Sequence, residues 1–157
     1  LPPKTLWQHF DTATLVEFCA SEGVHDYLRK ERIEDLLADE KLLQKSLSSA
    51  PKDLLKTLYA KNPKITEMME ENEILKLCEF EEILENEASN LSVNILVKII
   101  NNGKSRKAKF LAAKNIRNFA GIENDLKQLF EKSVMSDDFE ECMIENPDLL
   151  QFTKVSF

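Results

Sequence analysis

Few residues in this chain have the types and spacing that chemistry requires. Gly103-Lys104-Ser105 matches the end of a phosphate-binding loop, in which backbone amides wrap a phosphate and the lysine neutralises it. That loop needs a further glycine about five residues earlier, where this chain has Lys98, and a preceding strand, where the apolar spacing predicts a helix. Without the glycine the amides cannot close on a phosphate. Glu22 and His25 form a single Glu-x-x-His, interrupted by Gly23. A two-metal bundle needs a second such pair and further glutamates. Cys19 and His25 have no other ligands at zinc spacing. A cysteine nucleophile could take only His9 or His25 as its base, and no segment reads as an exposed nucleophile turn. Glu67 and Glu71 lie one helical turn apart, as do Glu81 and Glu85, but among 28 acids such pairs fall on any solvated face. The expectation is a protein without catalytic activity, metal or cofactor.

The charged segments are more informative. From Glu67 to Glu87 there are nine Glu and one Lys, and from Lys104 to Arg117 six basic residues and no acid. On a continuous helix with Arg106 at 0°, Arg117 falls at about 20°, Phe110 at about 40°, Lys114 at about 80° and Lys107 at about 100°. Leu111, Phe119, Ala112 and Ile116 fall on the opposite side, between about 140° and 280°. One face can then enter a core while the other presents four cations around an aromatic ring. The expected partner-binding set is Arg106, Lys107, Phe110, Lys114 and Arg117. Such a face can bind an acidic peptide, or hold phosphates while the ring stacks on a base. The net charge of −7 opposes attraction to nucleic acid, so a protein partner is expected and nucleic acid is the alternative. The plainer reading is a solvated face with Phe110 packed under a neighbouring helix or chain. The acidic segment could also meet the stripe, within the chain or on a second copy, and the latter would give self-association.

The elements that must position these residues follow from composition and periodicity. With 157 residues, 43% of them apolar, the chain can bury a core without disulfides. Only 3 Gly and 5 Pro occur, too few for the frequent turns of a sandwich or barrel. Cys19, Cys78 and Cys142 are odd in number, widely spaced and set among apolar residues, which fits reduced thiols inside a cell, in cytoplasm or nucleus. No apolar run approaches the roughly 20 residues that cross a bilayer. The chain starts Leu1-Pro2-Pro3 without a methionine and reads as a piece of a larger protein.

Apolar residues recur at helical spacing almost throughout. The spacing predicts helices from Thr12 to Ala20, ended by Gly23, then from Val24 to Ala38 and from Glu40 to Leu47. Further helices are expected after Pro51 and after Asn62-Pro63, and the acidic stretch to Glu87 should hold one kinked helix or two short ones. A helix from Leu91 to Asn102, capped by Ser89 or Asn90, is apolar nearly all round and should be central. Helices from Ser105 to Ala120, from Glu123 to Val134 and from Ser136 to Glu145 follow, then a last turn opened by Asn146-Pro147. These nine to eleven helices imply an all-α fold across 1–157, a compact bundle or a stack of antiparallel helical hairpins. The Asn-Pro-started helix with Met68 and Met69 resembles, over those few residues, the peptide-binding helical modules of co-chaperones. Asp53 to Asn62-Pro63 and Asp137 to Asn146-Pro147 share an acid, an apolar residue two positions on and an Asn-Pro at one spacing, offset by 84 residues. A match this short is within chance. The resulting expectation is a non-catalytic scaffold or oligomerisation domain.

Overall fold

The computed structural model describes residues 1–132 and 135–154. Among them are eleven α-helices and four 3-10 segments, with no strand, so the fold is all-α. The chain divides into two compact units, Leu1–Leu77 and Cys78–Phe157, each with its own core.

The first unit holds α1 (Thr12–Val16), α2 (Glu22–Glu31), α3 (Ile33–Ala38), α4 (Glu40–Ser49), α5 (Lys52–Lys61) and α6 (Glu71–Leu77), with 3-10 segments at Lys4–His9 and Pro63–Met68. Asp11 and Asp39 cap α1 and α4, their carboxylates accepting from the amides of Thr14 at 2.8 Å and Leu42 at 3.2 Å. Leu15, Leu28, Leu36, Leu47, Leu54, Leu55 and Leu58 are fully buried. Two expectations need correction. Gly23 does not end a helix but lies in the first turn of α2, where a Cβ would come within 2.9 Å of the Trp7 ring. The glycine admits the indole, and α1 instead ends at Val16 and continues as turns to Ala20. The helix expected from Val24 to Ala38 is broken at Arg32, whose backbone leaves the helical region (φ −129°, ψ 14°). Its guanidinium donates to Thr12 Oγ1 at 3.0 Å and to the Phe10 carbonyl at 2.8 Å, and lies 5.6 Å from the centre of the Tyr27 ring. The break thus coincides with a polar clamp on the N-terminal segment.

The second unit holds α7 (Glu81–Glu87), α8 (Val93–Asn102), α9 (Arg106–Ala113), α10 (Glu123–Glu131) and α11 (Asp137–Glu145), with 3-10 segments at Ala88–Asn90 and Pro147–Phe152. The acidic stretch therefore forms two helices, α6 and α7. The end expected for α10, at Val134, lies outside the described residues. Ser92, rather than Ser89 or Asn90, caps α8 by accepting from the Ile95 amide at 3.3 Å. Helix α8 is one-sided: Ile95, Leu96, Ile99 and Ile100 are buried, while Val93 and Lys98 are exposed. The central helix is α9, on which α7, α8 and α11 all pack. Ala108, Ala112 and Ala113 let those neighbours approach, and all three are buried.

Helix α9 stops at Ala113, seven residues short of the Ala120 expected. The reason is non-local. Asn146, buried at the end of α11, donates its side-chain amide to the carbonyls of Lys114 at 3.2 Å and Ile116 at 2.8 Å. The Asn115 side chain donates to the Leu111 carbonyl at 2.8 Å. The amides of Lys114, Asn115 and Ile116 close the last turns on the carbonyls of Phe110, Ala112 and Ala113, and side chains take the carbonyls of Leu111, Lys114 and Ile116. Residues 116–119 run as irregular backbone, and Gly121 (φ +83°) takes the left-handed conformation that glycine adopts most readily.

The short match between Asp53–Pro63 and Asp137–Pro147 extends much further in the structure. In the first unit α1 packs on α2 and α4, α2 packs on α5, and α5 packs on the Pro63–Met68 turn. In the second, α8 packs on α9 and α10, α9 packs on α11, and α11 packs on the Pro147–Phe152 turn. Some buried positions share the 84-residue offset, although buried Leu36, Leu43, Leu47 and Leu54 correspond to exposed Ala120, Lys127, Glu131 and Asp138. Leu15 and Val16 correspond to Ile99 and Ile100, Val24 and Leu28 to Ala108 and Ala112, and Leu58 and Tyr59 to Cys142 and Met143. Helix α3 has no helical counterpart, because the equivalent stretch is the loop around Gly121. The two units thus share an order of helices, several packing partners and part of their buried positions at one offset.

Candidate interaction cleft

The residues expected to bind a partner lie in the second unit. Arg106 and Lys107 are exposed at the start of α9. Phe110 is only 3% exposed and belongs to the core. Its ring stacks on Phe130 with centres 5.8 Å apart and meets the edge of Phe139 at 6.1 Å. It therefore cannot be an exposed stacking platform. Arg117 is exposed but lies beyond the end of α9, so it has left the stripe. Lys107, Phe110 and Lys114 come together, Arg106 is not among the residues lining the same cleft, and Arg117 is separated from them by the Asn146 stop.

Acidic neighbours within the unit take up much of the stripe. Lys104 Nζ lies 2.7 Å from Glu79, Lys107 Nζ 3.9 Å from Glu81, and Lys114 Nζ 2.8 Å from Glu145. Ser105 Oγ accepts from the Ala108 amide at 3.1 Å, capping α9, and donates to Glu81 at 2.8 Å. Of the two contacts expected between the acidic segment and the stripe, the structure contains the one within the chain. Partial burial of the Lys114 ammonium favours its neutral form. The bond to Glu145 and the fields of Glu145, Glu141 and Glu85 outweigh this, so its pKa stands above the ordinary lysine value.

A cleft of about 90 Å³ opens between α7, α9 and α11. Its floor is Phe110, Leu111 and Cys142, and its rim is Glu85, Lys107, Lys114, Asp138 and Glu141. Glu85, Asp138, Glu141 and Cys142 were not foreseen from sequence. Asp138 and Glu141 lie almost one turn apart on α11, a signal that was present but looked like any solvated acidic face. Cys142 is buried and donates weakly to the Phe110 carbonyl, with the sulfur 3.6 Å away. Burial pushes this thiol up to about 12, with Glu145 and Glu141 adding to the shift and Lys114 opposing it. It is a packing group, unlike a reactive thiolate. Burial raises Cys78 to about 12 as well, and also raises Cys19.

Among the described residues no three His, Cys, Asp or Glu side chains gather where they could hold a metal ion. No helix among them is long and apolar enough to cross a membrane. No family model, curated protein or solved structure matches the chain.

Proposed function

We propose that this chain is a non-catalytic protein-interaction module that docks a protein partner on the α9–α11 face of its second unit. The observation that carries the reading is that two tandem units share an order of helices and several packing partners. Repeated helical units present surface to macromolecules and need no cofactor to do so. The size of the cleft agrees, because small-molecule sites are commonly about 300–1,000 Å³. The ion pairs of Lys104, Lys107 and Lys114 with carboxylates weigh against the nucleic-acid alternative, and the burial of Phe110 removes its stacking ring. They also weigh against charge-paired self-association, since fewer cations remain for a second copy.

The test is a titration of the domain with a fluorescent single-stranded RNA at low salt, together with its solution mass at low and high salt. The expected result is no saturable RNA binding and a monomer throughout. Saturable binding that falls steeply with salt would establish the nucleic-acid reading instead. A dimer that salt dissociates would make the partner a second copy.

A further inference from the structure

We infer that Asn102 is a site of spontaneous deamidation, held in check by the last turn of α8. Asn102 is the asparagine of this chain that a glycine follows. Glycine has no Cβ, so its amide nitrogen lies open to the side chain before it. Once it has lost its proton to base, the Gly103 nitrogen can attack the side-chain carbonyl carbon of Asn102, Cγ. A new N–Cγ bond closes a five-membered imide, the Cγ–Nδ2 bond breaks, and ammonia leaves. Water then opens the ring. Opening at Cγ leaves aspartate, and opening at the main-chain carbonyl leaves isoaspartate, with one extra methylene in the backbone. The sum is an amide and water giving a carboxylate and ammonium, with no change of oxidation state.

The structure shows why the glycine is there and what restrains the reaction. A Cβ at position 103 would stand 2.5 Å from the Ile99 carbonyl oxygen and 3.3 Å from Lys109 Cγ. The first contact is with main chain, so no side-chain rotation relieves it, and a glycine is needed where α8 passes into α9. Asn102 is the last residue of α8 and is exposed. Two features of that turn oppose attack. The Gly103 amide donates to the Ile99 carbonyl at 2.7 Å, which withholds its proton from base. A helical ψ at Asn102, about −42°, keeps the Gly103 nitrogen out of line with Cγ. Helix ends fray, and opening one turn costs far less than global unfolding. Fraying of this turn releases the amide and the Asn102 backbone together. Asn101 is exposed as well, but the residue after it is Asn102, whose side chain crowds the attack. The product would act on the fold. A carboxylate at 102 stands at the carbonyl end of α8, where the helix dipole disfavours negative charge. Isoaspartate would also alter the short passage from α8 into α9, the helix on which α8 packs.

The experiment ages the whole 157-residue chain at body temperature in neutral and in mildly alkaline buffer, beside a sample kept unfolded in concentrated urea. Trypsin releases the peptide Ile99–Lys104, and mass spectrometry follows the gain in mass as amide becomes acid, with fragmentation separating Asn101 from Asn102. Conversion should appear at Asn102 ahead of every other asparagine and should speed up as pH rises. In the folded chain it should run at least about tenfold slower than in urea, the factor for a turn that is open a tenth of the time or less. Asn102 left intact in the folded chain over the weeks in which the urea sample converts would overturn the site. Equal rates in the two samples would overturn the restraint by α8, and earlier conversion at Asn101 would overturn the part given to Gly103. The aged chain carrying isoaspartate should also melt below Asn102→Asp, which has the charge without the added methylene. Equal melting would deny that the modification disturbs the passage from α8 to α9.

Discussion

Phe110 carries the main lesson at the scale of single residues. Its helical phase places it between cations, and sequence periodicity alone turns it outward. In the structure Phe110, Ala108, Leu111, Ala112 and Ala113 are all buried, so α9 is enclosed on most sides, and only Arg106 and Lys107 are exposed. The alanines hold the signal: small residues on a helix mark close approach by neighbours, and of the three only Ala112 belongs to the set expected on the core-facing side. Phe110→Ala should therefore cost about 3–5 kcal/mol, because the ring leaves a cavity against Phe130 and Phe139. Urea unfolding monitored by circular dichroism measures this directly. A loss below about 1 kcal/mol would return the ring to the surface.

Among the elements, those whose ends depend on adjacent residues were legible. The start of α5 after Pro51, the turn after Asn62-Pro63 and the end of α8 at Asn102 stand where expected, while the cap of α8 falls on Ser92, a few residues from Ser89 and Asn90. Elements whose ends depend on distant side chains were not legible. The stop of α9 is made by Asn146, about thirty positions away, and the break at Arg32 accompanies a clamp on residues near position 10. Periodicity continues through both points, and only tertiary structure interrupts it. This gives a contrast between repeat-equivalent residues. Asn146 is buried and satisfies two carbonyls, whereas Asn62 is exposed and accepts from the Lys64 amide at 3.2 Å. Asn146→Ala should cost about 1–3 kcal/mol, since buried acceptors are left unpaired. Asn62→Ala should lose only a cap worth about 0.5–1 kcal/mol. Thermal unfolding of the two variants side by side checks the order, and equal losses would deny Asn146 its part in ending α9.

At the scale of the whole chain, two features had to wait for three dimensions. The repeat shows in sequence only where an acid, an apolar residue and Asn-Pro coincide, because burial constrains residue size loosely. Leu28 and Ala112 fill equivalent buried positions with different volumes, and Arg32 occupies in one unit the place that buried Ile116 takes in the other. The pairing of acidic and basic segments was foreseen as one of several arrangements, since sequence holds both charges but not the distances between them. Among the outward groups of the second unit are the acidic residues at the rim of the cleft and Ile144. The account stands on this face meeting a protein. The most direct measurement places a photo-cross-linking amino acid at Glu141 in the chain expressed in its own cells, with a second at Glu123 on α10 as reference. The account predicts adducts from position 141 that protease removes and nuclease does not, and that are lost when Asp138→Asn is added. Nuclease-sensitive adducts, or equal protein adducts from both positions, would contradict it.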